Sequence, residues 1–443
     1  MNLLADTSFT DHLSSLTTRW ENALDANGFP AVLVRAGANQ NYFMDDQAPP
    51  FRANPHFAQW FPERACEHCE LLVRPGRKPL VLFYQPEDYW HLPPSVPNWA
   101  SESFEIEQHS SLDALAQARN SHLNGVNGAA CIGAEPITGK AGGQLQHNPQ
   151  NLISHLDYLR DQKTLFEVAA MREATQKAVA GHNRARDAFF AGGSEYQIYM
   201  AFLAATGNTG GELPYSSIVA LNEHCGVLHY QYYDQELPGA HLSFLIDAGA
   251  SHLGYASDIT RTYASNQAPE EFAALITALN TAQLELISRI RIDTAYAEIH
   301  GQMIDRIAEL LCEHAIITCS ADEAKSKGYA DPFMPHGLGH LIGLQTHDVG
   351  GHLANISGDP SPPDERFPAL RLTRALRANS VFTIEPGIYF IPMLLNELRA
   401  TNSPINWKLV DQLIPCGGIR IEDNIWLTED GPVNLTREAF DAI

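Results

Sequence analysis

The stretch PHGLGHLIGLQTHD, from Pro335 to Asp348, carries three imidazoles at His336, His340 and His347 and closes on an acid. Two histidines four residues apart on a helix, with Glu directly after the first, would make a zinc-protease site. Here Gly337 follows the first histidine, and Gly337 and Gly339 both disfavour a helix. The imidazoles must therefore be offered from another kind of backbone, and the rest of the chain has to supply what they work with.

It supplies acids. Asp247 and Asp258 lie in HLSFLIDAGA and GYASDITRTY, which SHLG joins as a hairpin turn. With the turn centred between His252 and Leu253, residues whose numbers sum to 505 face each other. Asp247 and Asp258 are then a cross-strand pair, ~5 Å apart at Cβ. Like charges so placed repel, so a positive group is expected between them; taken alone, the pair reads equally as solvated acids flanking a turn. Glu385 closes the apolar run FTIEPGIYF, where Pro386 biases it towards an extended backbone. Arg420 and Glu422 stand two apart in GGIRIEDNIW and share a strand face. By themselves they read as an ion pair at a sheet edge, which is worth little. Four buried carboxylates cannot all stay ionised without compensation, and two divalent cations supply it. Oxygen-rich, with one imidazole nitrogen, such a site suits Mn²⁺, with Co²⁺ or Zn²⁺ as alternatives.

The elements that must position these groups follow from the pattern. At 443 residues the chain is long for one domain. Up to about residue 160 it alternates helix (11–27, 113–124) and strand (AVLVRAG, CELLVRPGRKPLVLFY around a Pro-Gly turn, AACIGAE), an α/β domain. Residues 154–191 are helical and charge-patterned, and the junction is expected within 158–162, giving domains 1–160 and 161–443. Beyond Tyr215, β-rich stretches flank a helical block from Glu270 to Glu313, which predicts an α+β second domain. The net charge of −23 argues against nucleic acid and anionic membrane as partners. No apolar run is long enough to span a bilayer, and no secretory signal is read, so a cytoplasmic protein is expected. Seven scattered cysteines read as reduced thiols, and CEHC (Cys66–Cys69) as packing rather than half a zinc site. No G-x-S-x-G supports serine hydrolysis.

The stretches YFMDDQAPPFRANPHFAQW, ELPYSSIVALNEHCGVLHY, FLIDAGA, YASDITRTY, PHGLGHLIGLQTHD, TIEPGIYFI and GGIRIEDNIW resemble, in order, the pita-bread metallopeptidases, and among them the bacterial Xaa-Pro dipeptidases, or prolidases. The resemblance implies a pita-bread catalytic domain behind a smaller creatinase-like domain. It implies that Asp247 binds one metal, that Asp258 and Glu422 bridge two, and that His340 and Glu385 bind the second. Glu385 would also move the proton of an attacking water and His347 would steady the tetrahedral intermediate, both as catalytic residues. His229, His336 and Arg420 would form a cationic group for the proline carboxylate of a dipeptide substrate, with Tyr215 and Tyr296 as pocket walls. The family is generally dimeric, and Asp45 or Asp46 in FMDDQ would reach the partner's site in a homodimer. A side activity on organophosphorus esters is expected from the same centre. The near alternative is aminopeptidase P, which takes longer peptides; a metal-free binding module is disfavoured because all five ligands are present.

Overall fold

The computed structural model describes residues 7–137 and 145–442. They form two compact units. One holds the chain up to Arg160 with Thr164–Ala170 and Asn355–Asp359; the other holds Asp161–Lys163, Met171–Ala354 and the chain from Pro360. The first turns of the helix Leu165–Phe190 group with the first unit.

In the first unit β1 (Val32–Arg35), β2 (Glu70–Val73), β3 (Leu80–Tyr84), β4 (Glu105–His109), β5 (Ala129–Ile132) and β6 (Leu145–His147) make one mixed sheet in the order β4-β3-β2-β1-β5-β6. The Pro75-Gly76 turn joins β2 to β3, with Arg77 N–H donating to the Arg74 carbonyl and Gly76 at φ 71°. Only glycine takes that angle cheaply at this turn position. Leu33, Leu72, Leu80 and Leu82 bury one sheet face against Leu115 and Leu123 of the helix Leu112–Leu123, which Ser111 caps.

In the second unit every strand pairing is antiparallel. β7 (Ile218–Leu221), β8 (Ser243–Asp247) and β11 (Thr260–Ala264) form one sheet, with β9 (Ser251–His252) and β10 (Tyr255–Ala256) as the hairpin tip. β12 (Val381–Ile384), β15 (Asp423–Thr428) and β16 (Gly431–Asn434) form another, and β13 (Gly387–Tyr389) pairs with β14 (Gly418–Arg420). The helices Glu270–Arg289 and Tyr296–Glu313 turn Phe272, Leu275, Leu279, Ile299, Met303 and Ile307 onto one core. Strand residues Phe382, Ile384, Ile388, Ile419, Ile421 and Ile425 meet them there. The helical spacing of three and four places those side chains on one stripe. Among the described residues no helix is long and apolar enough to cross a membrane.

Two features differ from the sequence reading. The hairpin turn is centred on Leu253 and Gly254, at φ 51° and 82°, the two positive angles that a tight two-residue hairpin needs. Its register sums to 507: Asp247 faces Thr260, and Tyr255 faces His252. Asp258 therefore falls diagonally across from Asp247 rather than opposite it, but a shift of two preserves the face. Gly249 takes the place across from Asp258, where a Cβ would come within 2.0 Å of the Ser257 carbonyl oxygen. Secondly, GGIRIEDNIW is not one continuous strand: it breaks between β14 and β15 at Ile421-Glu422, whereas Glu385 stands at the end of β12, as expected, with β13 starting after Pro386.

The glycines of PHGLGHLIG have a steric cause. Residues 338–342 run extended beside β12: Thr383 N–H donates to the His340 carbonyl, and Glu385 N–H to the Leu338 carbonyl. A Cβ on Gly339 would lie 2.2 Å from the Thr383 oxygen, and one on Gly337 would lie 2.8 Å from Leu370 Cα. Gly301, in the helix Tyr296–Glu313, has open space around it. Urea denaturation should therefore separate two Gly→Ala substitutions. Gly301→Ala should stabilise by roughly 0.5–1 kcal/mol, the helical cost of glycine. Gly249→Ala should destabilise by about 2 kcal/mol or more, or prevent folding.

Candidate metal centre

Five side chains from separate chain segments converge in the second unit. Asp247 ends β8, Asp258 precedes β11, His340 lies on the extended segment beside β12, and Glu385 and Glu422 occupy the two strand breaks. His340 Nε2 lies 3.4 Å from Asp258 Oδ2, 3.7 Å from Glu385 Oε1 and 3.9 Å from Glu422 Oε1. Asp258, His340 and Glu422 each offer one ligand atom, all within 4.8 Å of one another, and all three residues are buried. The His340 Nδ1 sits 3.0 Å from the Leu341 carbonyl. A carbonyl only accepts, so Nδ1 donates that bond and Nε2 is the nitrogen turned towards the acids. Glu422 Oε1 is buried with no hydrogen-bond partner. An imidazole nitrogen turned to three carboxylates and an orphaned carboxylate oxygen suit a divalent cation.

The electrostatics agree. Desolvation, then the neighbouring carboxylates, push Asp258 and Glu422 well above the usual carboxylate range. Burial followed by the charge of Glu422 takes Glu385 from 4.5 up to about 8. The Tyr215 hydroxyl bridges the aspartates, 2.8 Å from Asp247 Oδ1 and 2.5 Å from Asp258 Oδ1. Thr260 Oγ1 donates to Glu422 Oε2 at 2.8 Å. Asn424 grips Asp258 through its backbone, accepting from the amide and donating to the carbonyl.

Several expected roles change. Arg420 is buried, with Nη2 on Asp247 Oδ2 and Nη1 on the Tyr389 hydroxyl, both at 2.7 Å, and Nε on Thr260 Oγ1 at 3.2 Å. Its fork is committed to the Asp247 carboxylate, so it orients Asp247 and is not free to clamp a substrate carboxylate in two-pronged fashion. Tyr215 is likewise bonded to ligands rather than being a bare wall. His336 Nδ1 lies 2.8 Å from the Gly337 carbonyl and is thus protonated, leaving Nε2 as a lone-pair acceptor with no partner. Burial, reinforced by the charge of Arg420, holds that imidazole down to about 3, so it is neutral and cannot serve as a cation. Tyr296 is wholly buried in the core, its hydroxyl donating to the Thr383 carbonyl at 2.7 Å behind His340. That is a backing position, not a pocket wall.

His347 is exposed and stands edge-on to His340, ring centroids 4.5 Å apart. His229 is also exposed, and its charge and that of Arg371 both act on His347. Arg371, exposed and with no ion pair or hydrogen bond among the described residues, was missed from the sequence because nothing in ALRLTRALR distinguishes it. Glu195 was missed too. Buried at the start of a helix, it accepts from Leu221 N–H, His224, the Tyr230 hydroxyl and Asp234 N–H, and so pins the loop that carries His229. Asp45 and Asp46 stand on an exposed turn of the first unit, outside this cluster.

A family model described as Metallopeptidase family M24 matches residues 169–429, and one described as Xaa-Pro dipeptidase, N-terminal domain, matches residues 7–158. The chain belongs to metallopeptidase family M24. Among its relatives within that family, the Xaa-Pro dipeptidase of Xanthomonas campestris pv. campestris (strain B100) is 43% identical over 440 residues, 98% of each chain. That of Pseudoalteromonas translucida (strain TAC 125) is 40% identical over 436 residues, 97% of each. The solved proline aminopeptidase P II from Yersinia pestis superposes with a TM-score of 0.73 at 21% identity, covering 99% of this chain and 97% of that one. That likeness shows the fold: an M24 pita-bread domain preceded by the N-terminal domain. Membership of M24 also implies a dinuclear divalent centre, which the five converging side chains can hold.

Protonation and cation binding are therefore linked. Without cations the folded site retains protons that the unfolded chain has lost above pH 4.5, so the unfolded state binds fewer protons and stability falls as pH rises towards 8. Each retained proton contributes a slope of about 1.4 kcal/mol per pH unit. Metal-stripped protein should lose stability between pH 5 and 8, and the loss should be absent with Mn²⁺ bound. Loading Mn²⁺ at pH 7 should release protons, read calorimetrically in buffers of different ionisation enthalpy; no release would contradict the raised carboxyls.

Proposed function

We propose that this protein is a metal-dependent dipeptidase that hydrolyses Xaa-Pro dipeptides ending in proline, with two Mn²⁺ ions held by Asp247, Asp258, His340, Glu385 and Glu422. The observation that carries it is the match, across nearly the full length of both chains, to relatives named Xaa-Pro dipeptidase. The hard oxygen set supports Mn²⁺, with Co²⁺ and Zn²⁺ as the tested alternatives. When bound, the cations supply a nucleophile at neutral pH and polarise the scissile carbonyl.

The chain's own residues do the rest. The Xaa-Pro bond is a tertiary amide without an N–H, so its nitrogen must receive a proton to leave. Glu385, partly open at the site's edge, takes the proton of the attacking water and delivers it to that nitrogen. His347, exposed beside His340, donates a hydrogen bond to the oxygen of the tetrahedral intermediate. The proline carboxylate is held by Arg371 with His229, the exposed groups whose charges act on His347. An unpaired guanidinium can grip a carboxylate with two parallel hydrogen bonds. A charge clamp just beyond the scissile bond favours dipeptides over longer chains, which separates this activity from that of aminopeptidase P.

The active form is a homodimer in the cytoplasm. Tyr42, Phe43 and Met44 form an exposed apolar tip beside Asp45 and Asp46, with Phe43 94% exposed, which supports docking of that turn on a second copy. The seven free thiols suit a reducing compartment. The same centre supports a side activity on organophosphorus esters, whose phosphorus resembles a tetrahedral intermediate.

Metal-stripped protein reloaded separately with Mn²⁺, Co²⁺ and Zn²⁺ should cleave Ala-Pro and Leu-Pro well and Ala-Pro-Ala-Ala poorly. Equal turnover of the tetrapeptide would favour the aminopeptidase reading instead. Arg371→Ala should raise KM for Ala-Pro about tenfold, a loss of ~1.4 kcal/mol, and hardly change that for a longer peptide. Light scattering after gel filtration should give the mass of a dimer for the native chain and of a monomer for Phe43→Asp.

A further inference from the structure

Behind the ligands lies a buried polar side chain that the chemistry above does not use. Gln283, on the helix Glu270–Arg289, has no exposed surface. Its Nε2 donates to the Ile384 carbonyl at 2.8 Å and to the Ile421 carbonyl at 3.0 Å. Those are the residues immediately before Glu385 and Glu422, at the two places where the strands break. Its Oε1 accepts at 2.9 Å from Arg437 Nη2, a group that only donates, so the amide has one allowed orientation. Arg437 Nε donates to Asp423 Oδ2, Arg261 Nη2 donates to Asp423 Oδ1, and Arg261 Nη1 donates to the Glu422 carbonyl. One connected network of hydrogen bonds, partly open only at Arg437, therefore fixes the backbone on both sides of Glu422 and the carbonyl preceding Glu385.

We infer that Gln283 is a positioning residue for the cation pair: by holding two carbonyls on one amide nitrogen, it sets the separation of Glu385 and Glu422 so that the site takes two cations together. The inference rests on the reading that these carboxylates hold two cations. The chemistry singles out a carboxamide. A glutamate here would turn an acceptor towards two acceptors, and a methionine would fill the volume and donate nothing. Since buried carbonyls without donors shift until they find one, either change frees the two breaks to move apart.

The full-length protein, stripped and titrated with Mn²⁺ alone, tests this by calorimetry and low-temperature electron paramagnetic resonance. The native chain should bind two ions and give the spin-coupled signal of a close pair. Gln283→Met should bind the second ion at least tenfold more weakly and show the uncoupled signal at two equivalents. Leu279→Ala, a core truncation on the same helix, should lower the melting temperature yet keep the coupled signal, which separates positioning from mere loss of stability. Native affinity and coupling in Gln283→Met would overturn the inference. Should that variant not fold, Arg437→Gln removes the donor that orients the amide, and native coupling there would overturn it equally. A native chain that binds fewer than two ions would instead sink the two-cation reading itself.

Discussion

Repulsion among carboxylates crowded into a dry interior is the constraint around which the second unit is organised. Asp258, Glu385 and Glu422 each hold protons far more tightly than a solvated acid does. The surroundings answer with donors rather than with water: the Tyr215 hydroxyl between the aspartates, Arg420 on Asp247 and Thr260 on Glu422. These relieve part of the strain and leave Glu422 Oε1 with none. The remainder is a deficit of positive charge, and that deficit gives the site its affinity for cations.

Such a site must be held against its own repulsion, which explains how much backbone is committed to it. Each acid sits where a strand starts, stops or breaks, so its side chain is free to point inward while the adjoining ladder anchors it. Arg420 belongs to this scaffold. Its three bonds reach Asp247, the threonine that donates to Glu422, and Tyr389, whose ring fills the space left by Gly387 and Gly418. His229, His347 and Arg371, by contrast, are left exposed.

Full-length relatives and distant solved structures carry different information. At 21% identity, aminopeptidase P shares the architecture across nearly the whole chain. An architecture of this kind hosts more than one peptide-length preference, because that preference depends on a few groups around a common centre. Relatives at 40–43% identity over nearly the full length are named Xaa-Pro dipeptidase, which favours the shorter substrate.

Residue type and spacing in the sequence already pointed to an oxygen-rich, one-imidazole centre, an α/β then α+β layout and the longest helices. These depend on local pattern: apolar periodicity, turn residues, and acids closing apolar runs. Even the misplaced hairpin kept Asp247 and Asp258 on one face, since a slip of two residues conserves strand parity. Partnership between distant segments was not legible. Nothing near Arg420 in sequence says that its charge is already taken by Asp247, 173 positions away. Nor does anything near His336 say that burial and the charge of Arg420 keep it neutral. Arg371, Glu195 and Gln283 carry no local mark, because their roles depend on what folding brings beside them. Hydrogen bonding and charge compensation act over a few ångströms of space, and only the tertiary structure decides which residues share them.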